Sequence, residues 1–151
     1  MSARLLVVHH TPSPAMQELL EAVLAGTHAE GVEGVEVEAH PALSATASDV
    51  LAADGVLLGT PANIGYMSGA LKHFFDGIYY PTLQAREGLP FGYWVHGNND
   101  VEGARRAIES IATGLSWRLA AEPVLVTGPL DAAVRERCFE LGGTLAASLM
   151  P

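Results

Sequence analysis

Apolar and polar positions along this chain switch repeatedly between a strand period and a helix period. Leu5, Leu6, Val7 and Val8 form an unbroken apolar run, the pattern of a strand buried on both faces. Met16, Leu19, Leu20, Val23 and Leu24 then recur at helical spacing. After Gly26 and the turn-rich Gly31 to Gly34, Val35 and Val37 alternate with glutamates, which predicts a strand exposed on one side at a sheet edge. A short helix follows around Ser48 to Ala53, then a buried strand at Val56 to Gly59. The next helix runs from Ser68 to about Tyr79, with Met67, Leu71, Phe74, Phe75 and Ile78 on its apolar side, and leads into a proline-bounded loop from Pro81 to Pro90. Phe91 to Val95 reads as a fourth strand, and Val101, Ala104, Ile108, Ile111 and Leu115 as a fourth helix capped by Asp100. Val124 to Val126 give a fifth strand; Val134, Cys138, Leu141, Leu145 and Leu149 stripe a last helix that starts near Asp131. Such alternation implies an α/β three-layer sandwich, a parallel sheet joined by right-handed crossovers with helices on both faces.

One stretch carries more than periodicity. Gly59-Thr60-Pro61-Ala62-Asn63-Ile64-Gly65-Tyr66-Met67-Ser68 joins a buried strand, a small-residue loop and a helix that continues through Lys72, Phe74 and Asp76. The loop lacks bulk and offers backbone N–H groups, so a flat polar ring can lie close to the main chain. A strand-to-helix turn that merely needs proline and glycine is the plainer alternative. The pattern G-T-P-x-x-x-G-x-M-S-x-x-x-K-x-F-x-D resembles the second flavin loop of the flavodoxin-like NAD(P)H:quinone and FMN reductases. That resemblance implies main-chain contacts to a flavin ring from Pro61, Ala62, Asn63, Ile64 and Gly65, with Tyr66 beside the ring or the pocket mouth. It also implies a five-stranded parallel sheet in the order 2-1-3-4-5, with FMN bound where the first and third strands diverge.

The phosphate of FMN needs a helix N-terminus, and His9-His10-Thr11-Pro12-Ser13-Pro14-Ala15-Met16 occupies that place after the first strand. Thr11 and Ser13 offer hydroxyls; Ala15 and Met16 offer only backbone N–H groups. The family's phosphate loop runs S/T-x-T-G-x-T, whereas here Pro14 fills the glycine slot and Met16 replaces the last hydroxyl-bearing residue. Pro14 cannot donate, and Ser13-Pro14 also reads as an ordinary helix cap and first helical residue. A third loop, His96, Gly97, Asn98 and Asn99, supplies a glycine and amides suited to the pyrimidine edge of the ring. His96 is equally suited to a structural role, and Trp94, inside a strand pattern, to the core.

Composition narrows the field. At 151 residues the chain reads as one domain, 1–151, with no room for a separate nicotinamide-binding domain. A net charge of −9 with Lys72 as the sole lysine leaves no phosphate-tracking or polybasic surface, which argues against nucleic acid and membrane partners. The acidic surface suits a basic redox partner or simply solubility. Cys138 is the single cysteine, so an internal disulfide is impossible and a small buried filler is its natural role. His9 and His10 are adjacent and point to opposite faces of a strand, so no metal site is expected from them. Lys72 and Asp76 read as a solvated helical pair. The N-terminus lacks a leader pattern and no segment is long enough to span a bilayer, pointing to the cytoplasm.

The resemblance therefore implies an enzyme in which FMN does the chemistry, NAD(P)H is co-substrate and a quinone-like or other small molecule is acceptor, with no catalytic side chain required. A flavodoxin-type electron carrier docking on a redox partner protein is one alternative; a flavin-free flavodoxin-like binding module, kept open by the altered phosphate loop, is another. A homo-oligomer is compatible with the sequence.

Overall fold

The apolar runs lie side by side as parallel strands in the computed structural model, which describes residues 2–151. Met1, where the N-terminal stretch begins, lies outside the described residues. In chain order the elements are β1 (Ala3–His9), α1 (Pro14–Thr27), β2 (Val35–Pro41), α2 (Ala47–Ala52), β3 (Gly55–Asn63), β4 (Tyr66–Met67), α3 (Gly69–Thr82), β5 (Pro90–Gly97), α4 (Glu102–Gly114), β6 (Arg118–Leu119), β7 (Val124–Thr127) and α5 (Ala132–Ser148). The sheet runs β2-β1-β3-β5, and both β6 and β7 pair with β5, the first at Pro90 and Phe91 and the second from Trp94 to Gly97. Taking β6 and β7 as one interrupted fifth strand, this is the expected order 2-1-3-4-5. The sequence reading found only the β7 half. β6 is two exposed residues, so it carries no apolar run to read.

Strand parity divides the core. Leu6, Val8, Val56, Leu58, Phe91, Tyr93 and Val95 face α2, α3 and α4, whereas Leu5, Val7, Leu57 and Trp94 face α1 and α5. Leu5, Val7, Val8, Leu57, Leu58 and Trp94 are fully buried. Each buried aliphatic side chain stabilises by about 1.5–3 kcal/mol relative to its exposed state, so strands this apolar settle at the centre of the sandwich. β2, with Val35 and Val37 only half-buried between exposed glutamates, takes the edge.

Two helix ends, those of α3 and α4, differ from the sequence reading in a way that has a physical cause. α3 continues through Pro81 to Thr82 instead of ending near Tyr79. The N–H that Pro81 lacks would have bonded the Gly77 carbonyl one turn back, and Gly77 is exposed, so that group is open to solvent. Thr82 Oγ1 then donates to the Ile78 carbonyl at 2.7 Å and closes the last turn. At α4 the capping residue is Val101, without a side-chain cap, rather than Asp100. Asp100 still serves the first turn, its Oδ1 accepting the Glu102 N–H at 2.8 Å. No helix is long and apolar enough to cross a membrane among the described residues.

Candidate functional site

Because β1, β3 and β5 are parallel, the segments that follow them emerge at one edge of the sheet. The register pairs His9 with Gly59 and Pro61 with His96, which brings 10–16, 60–66 and 96–99 together. These are the three segments singled out above.

The first segment is an N-cap with spare donors. Ser13 is extended and its Oγ accepts the Met16 N–H at 3.2 Å, while the Ser13 carbonyl accepts the Gln17 N–H at 3.0 Å. Met16 is fully buried, and its N–H is occupied by the cap. The N–H groups of Thr11, Ser13 and Ala15 have no protein acceptor among the described residues, so the entry to α1 presents donors where the helix dipole favours an anion. Thr11 Oγ1 and His9 Nδ1 are 2.8 Å apart. Burial, and then the proximity of His10 and His40, holds the His9 imidazole below its ordinary range and favours the neutral ring.

The second segment is not an open loop but a hairpin. β3 runs past the core to Asn63 and turns into β4, with Asn63 opposite Tyr66 and Ala62 opposite Met67. Ile64 and Gly65 form the turn with φ of 50° and 71°, the left-handed pair of a type I′ turn. For a β-branched residue that conformation is strained. Two contacts that the sequence reading missed hold it. Thr60, fully buried, accepts the Ser68 N–H at 3.0 Å and donates to the Pro61 carbonyl at 2.8 Å, bracing the hairpin base against the N-cap of α3. Gly103, in the first turn of α4, lies so close to the tip that an added Cβ would sit 1.7 Å from the Gly65 carbonyl oxygen. A β-branched hydroxyl before proline and a glycine in a first helical turn were the available signals. Ile64 is wholly exposed and Tyr66 is 40% exposed, so the tip presents apolar surface to the space above the sheet edge.

In the third segment Gly97 is buried, whereas Asn98 and Asn99 are exposed and their backbone N–H groups have no protein acceptor among the described residues. His96 Nε2 donates to the Gly128 carbonyl at 2.8 Å, so the ring ties the end of β5 to the loop after β7 and only Nδ1 and the main chain remain available for another partner. The other side chains weighed from sequence are plain. Trp94 is core, Lys72 and Asp76 form an exposed pair at 2.6 Å, and burial pushes the Cys138 thiol up to about 11, as suits a filler.

The whole edge thus combines anion donors at one end, free main-chain donors at the other and an apolar tip between them. No family model matches the chain. A curated protein named flavodoxin, from Aquifex aeolicus (strain VF5), is 37% identical over 75 residues, half of this chain; the match spans 40% of that relative's length. Among solved structures, the Streptococcus pneumoniae TIGR4 flavodoxin aligns with a TM-score of 0.80 at 18% identity, covering 97% of this chain and 99% of the other. An apo-form NADH:FMN oxidoreductase aligns with a TM-score of 0.77 at 14% identity, covering 98% and 90%. The chain has the flavodoxin-like fold.

Proposed function

We propose that this chain binds FMN at the edge formed by 10–16, 60–66 and 96–99 and passes reducing equivalents from NAD(P)H to a quinone-like or other small acceptor. The observation that carries the reading is the convergence of unpartnered N–H groups at Thr11, Ser13, Ala15, Asn98 and Asn99 around the apolar hairpin tip. That donor set fits the group. Thr11, Ser13 and the Ala15 N–H would hold the phosphate, while Pro61 to Tyr66 and Gly97 to Asn99 would line the ring, with the Met16 N–H left to the cap. Bound FMN supplies hydride acceptance and donation. The protein orients it, limits water at its face and leaves one side open to small reactants.

The test is a titration of the apo protein with FMN, followed without air by NADH or NADPH and then a small quinone. Fluorescence quenching, rapid bleaching and reoxidation support the enzyme. The electron-carrier reading draws on the name of the curated relative and on the net charge of −9, which suits docking on a basic partner. Colour that persists with both nicotinamides but is bleached by a separate reductase establishes the carrier. Absence of quenching at saturating FMN removes both readings and leaves a binding module.

A further inference from the structure

A second cluster of chemistry lies along the edge strand, outside the three loops. Glu38 and His40 alternate on β2 opposite Leu6 and Val8, the β1 residues whose core also contains Val50 of α2. Both therefore lie on the sheet face that α2 packs against. Asp49, in the first turn of α2, is fixed by the capping box: its Oδ2 accepts the Thr46 N–H at 2.8 Å and the Thr46 hydroxyl at 3.0 Å. One ligand atom from each of Glu38, His40 and Asp49 lies within 4.8 Å of the other two.

We propose that Glu38, His40 and Asp49 form a site for a divalent transition metal of the zinc class. The His40 side chain is 36% exposed, but its Nε2 atom is itself shielded from solvent and has no hydrogen-bond partner among the described residues, its nearest carboxylate oxygen, on Glu38, being 3.6 Å away. That separation is too long for a hydrogen bond, and a shielded nitrogen without a partner is costly. A metal ion satisfies it directly. Ligand atoms bound to one tetrahedral zinc at ~2.1 Å are about 3.4 Å apart; Glu38 and His40 are already near that spacing, and the wider gap to Asp49, whose carboxylate the capping box holds, closes through rotation of the His40 and Glu38 side chains. One imidazole with two carboxylates favours zinc-class ions over magnesium or calcium, which prefer oxygen ligands alone. A cavity of about 250 Å³ lined by Arg4, Glu38, Ser48 and Asp49 opens beside the cluster and leaves room for water to complete the shell. The nearby cation, Arg4, is directed to Glu36 at 3.9 Å rather than to the three ligands. Metal at this position would pin the edge strand to α2.

Calorimetric titration of ZnCl2 into the full chain at pH 7.5 tests the site, using wild type, Glu38→Gln and His40→Gln. One saturable equivalent is expected in wild type, with affinity reduced about tenfold or more in each variant, and a zinc-dependent rise in melting temperature in wild type alone. Magnesium should give no saturable heat. Equal zinc affinity in all three proteins would assign binding to other histidines and overturn the proposal, as would the absence of saturable heat in wild type. Should His40→Gln melt early without metal, Glu38→Gln, whose side chain is 48% exposed, preserves the test.

Discussion

The segment after β1 and the hairpin after β3 face the same space but differ in where their hydrogen bonds go. In the first, the atoms that suit a phosphate also hold the helix: Ser13 Oγ caps α1 through Met16, and Thr11 Oγ1 contacts His9. In the second, the tip side chains hold nothing. Ile64 stands free in a left-handed turn that Thr60, Ser68 and Gly103 support from outside. The proposed flavin contacts are thus coupled to stability in the first segment and separable from it in the second. Substitutions that break one kind of support should reveal the difference.

The largest effect is expected from Gly103→Ala. Its Cβ would meet the Gly65 carbonyl oxygen at 1.7 Å, and both partners are backbone, so either α4 or the hairpin must move. Overpacking of this kind costs about 1–3 kcal/mol, and the upper end is expected here. Thermal melting should fall accordingly, and quenching of FMN fluorescence should be lost or weakened. An unchanged melting curve would show that α4 does not support the turn.

That contact also marks where the sequence stopped being readable. The central strands were legible because burial on both faces leaves a continuous apolar run, as in Leu5 to Val8 and Val56 to Leu58. The three loops were legible as places because parallel topology sends the ends of β1, β3 and β5 to one edge. Their internal structure was not. β4 is two residues long, and the turn that forms it places isoleucine where local preference calls for asparagine or glycine, so tertiary contacts override the local signal. The bond from Ser68 to Thr60 joins residues on two elements, and no periodicity reports it. Likewise, His96 offered no sign that its ring would be tied to Gly128.

A smaller effect is expected in the first segment. Replacing Thr11 and Ser13 together with alanine removes the cap of α1 at about 1 kcal/mol. It should weaken FMN much more than riboflavin, which lacks the phosphate. Asp131→Ala removes the corresponding cap of α5, where Oδ1 accepts the Val134 N–H at 2.9 Å, and should cost a similar amount without changing the FMN-to-riboflavin ratio. Equal losses for both flavins in the double variant would assign its hydroxyls to structure alone. His9 gives this segment a pH response as well. Burial, with His10 and His40 nearby, lowers its folded pKa below the ordinary 6.5, so the unfolded chain takes up the proton first. The stability linked to His9 is therefore present above that value and is lost as pH falls through it. Denaturation from pH 7.5 to 5.5 should show wild type losing more stability than His9→Asn; parallel curves would remove His9 from the account.

The smallest change in stability, and the sharpest separation of the two loops, is expected from Ile64→Asn. Asparagine tolerates the left-handed conformation that isoleucine occupies at φ 50°, and it suits the first position of a type I′ turn followed by glycine. Ile64 is wholly exposed, so the exchange sacrifices little burial within the chain. The variant should gain about 0.5–1 kcal/mol, read as a higher melting midpoint. Flavin affinity should move the other way, because the apolar tip would no longer cover the ring. No residue of the first loop offers that combination, since removing Ser13 loses the cap and the proposed phosphate contact together. A stabilised variant with undiminished FMN binding would show that Ile64 does not meet the flavin. A destabilised one would show that the strain is absent and that the isoleucine makes contacts worth more than its backbone conformation costs.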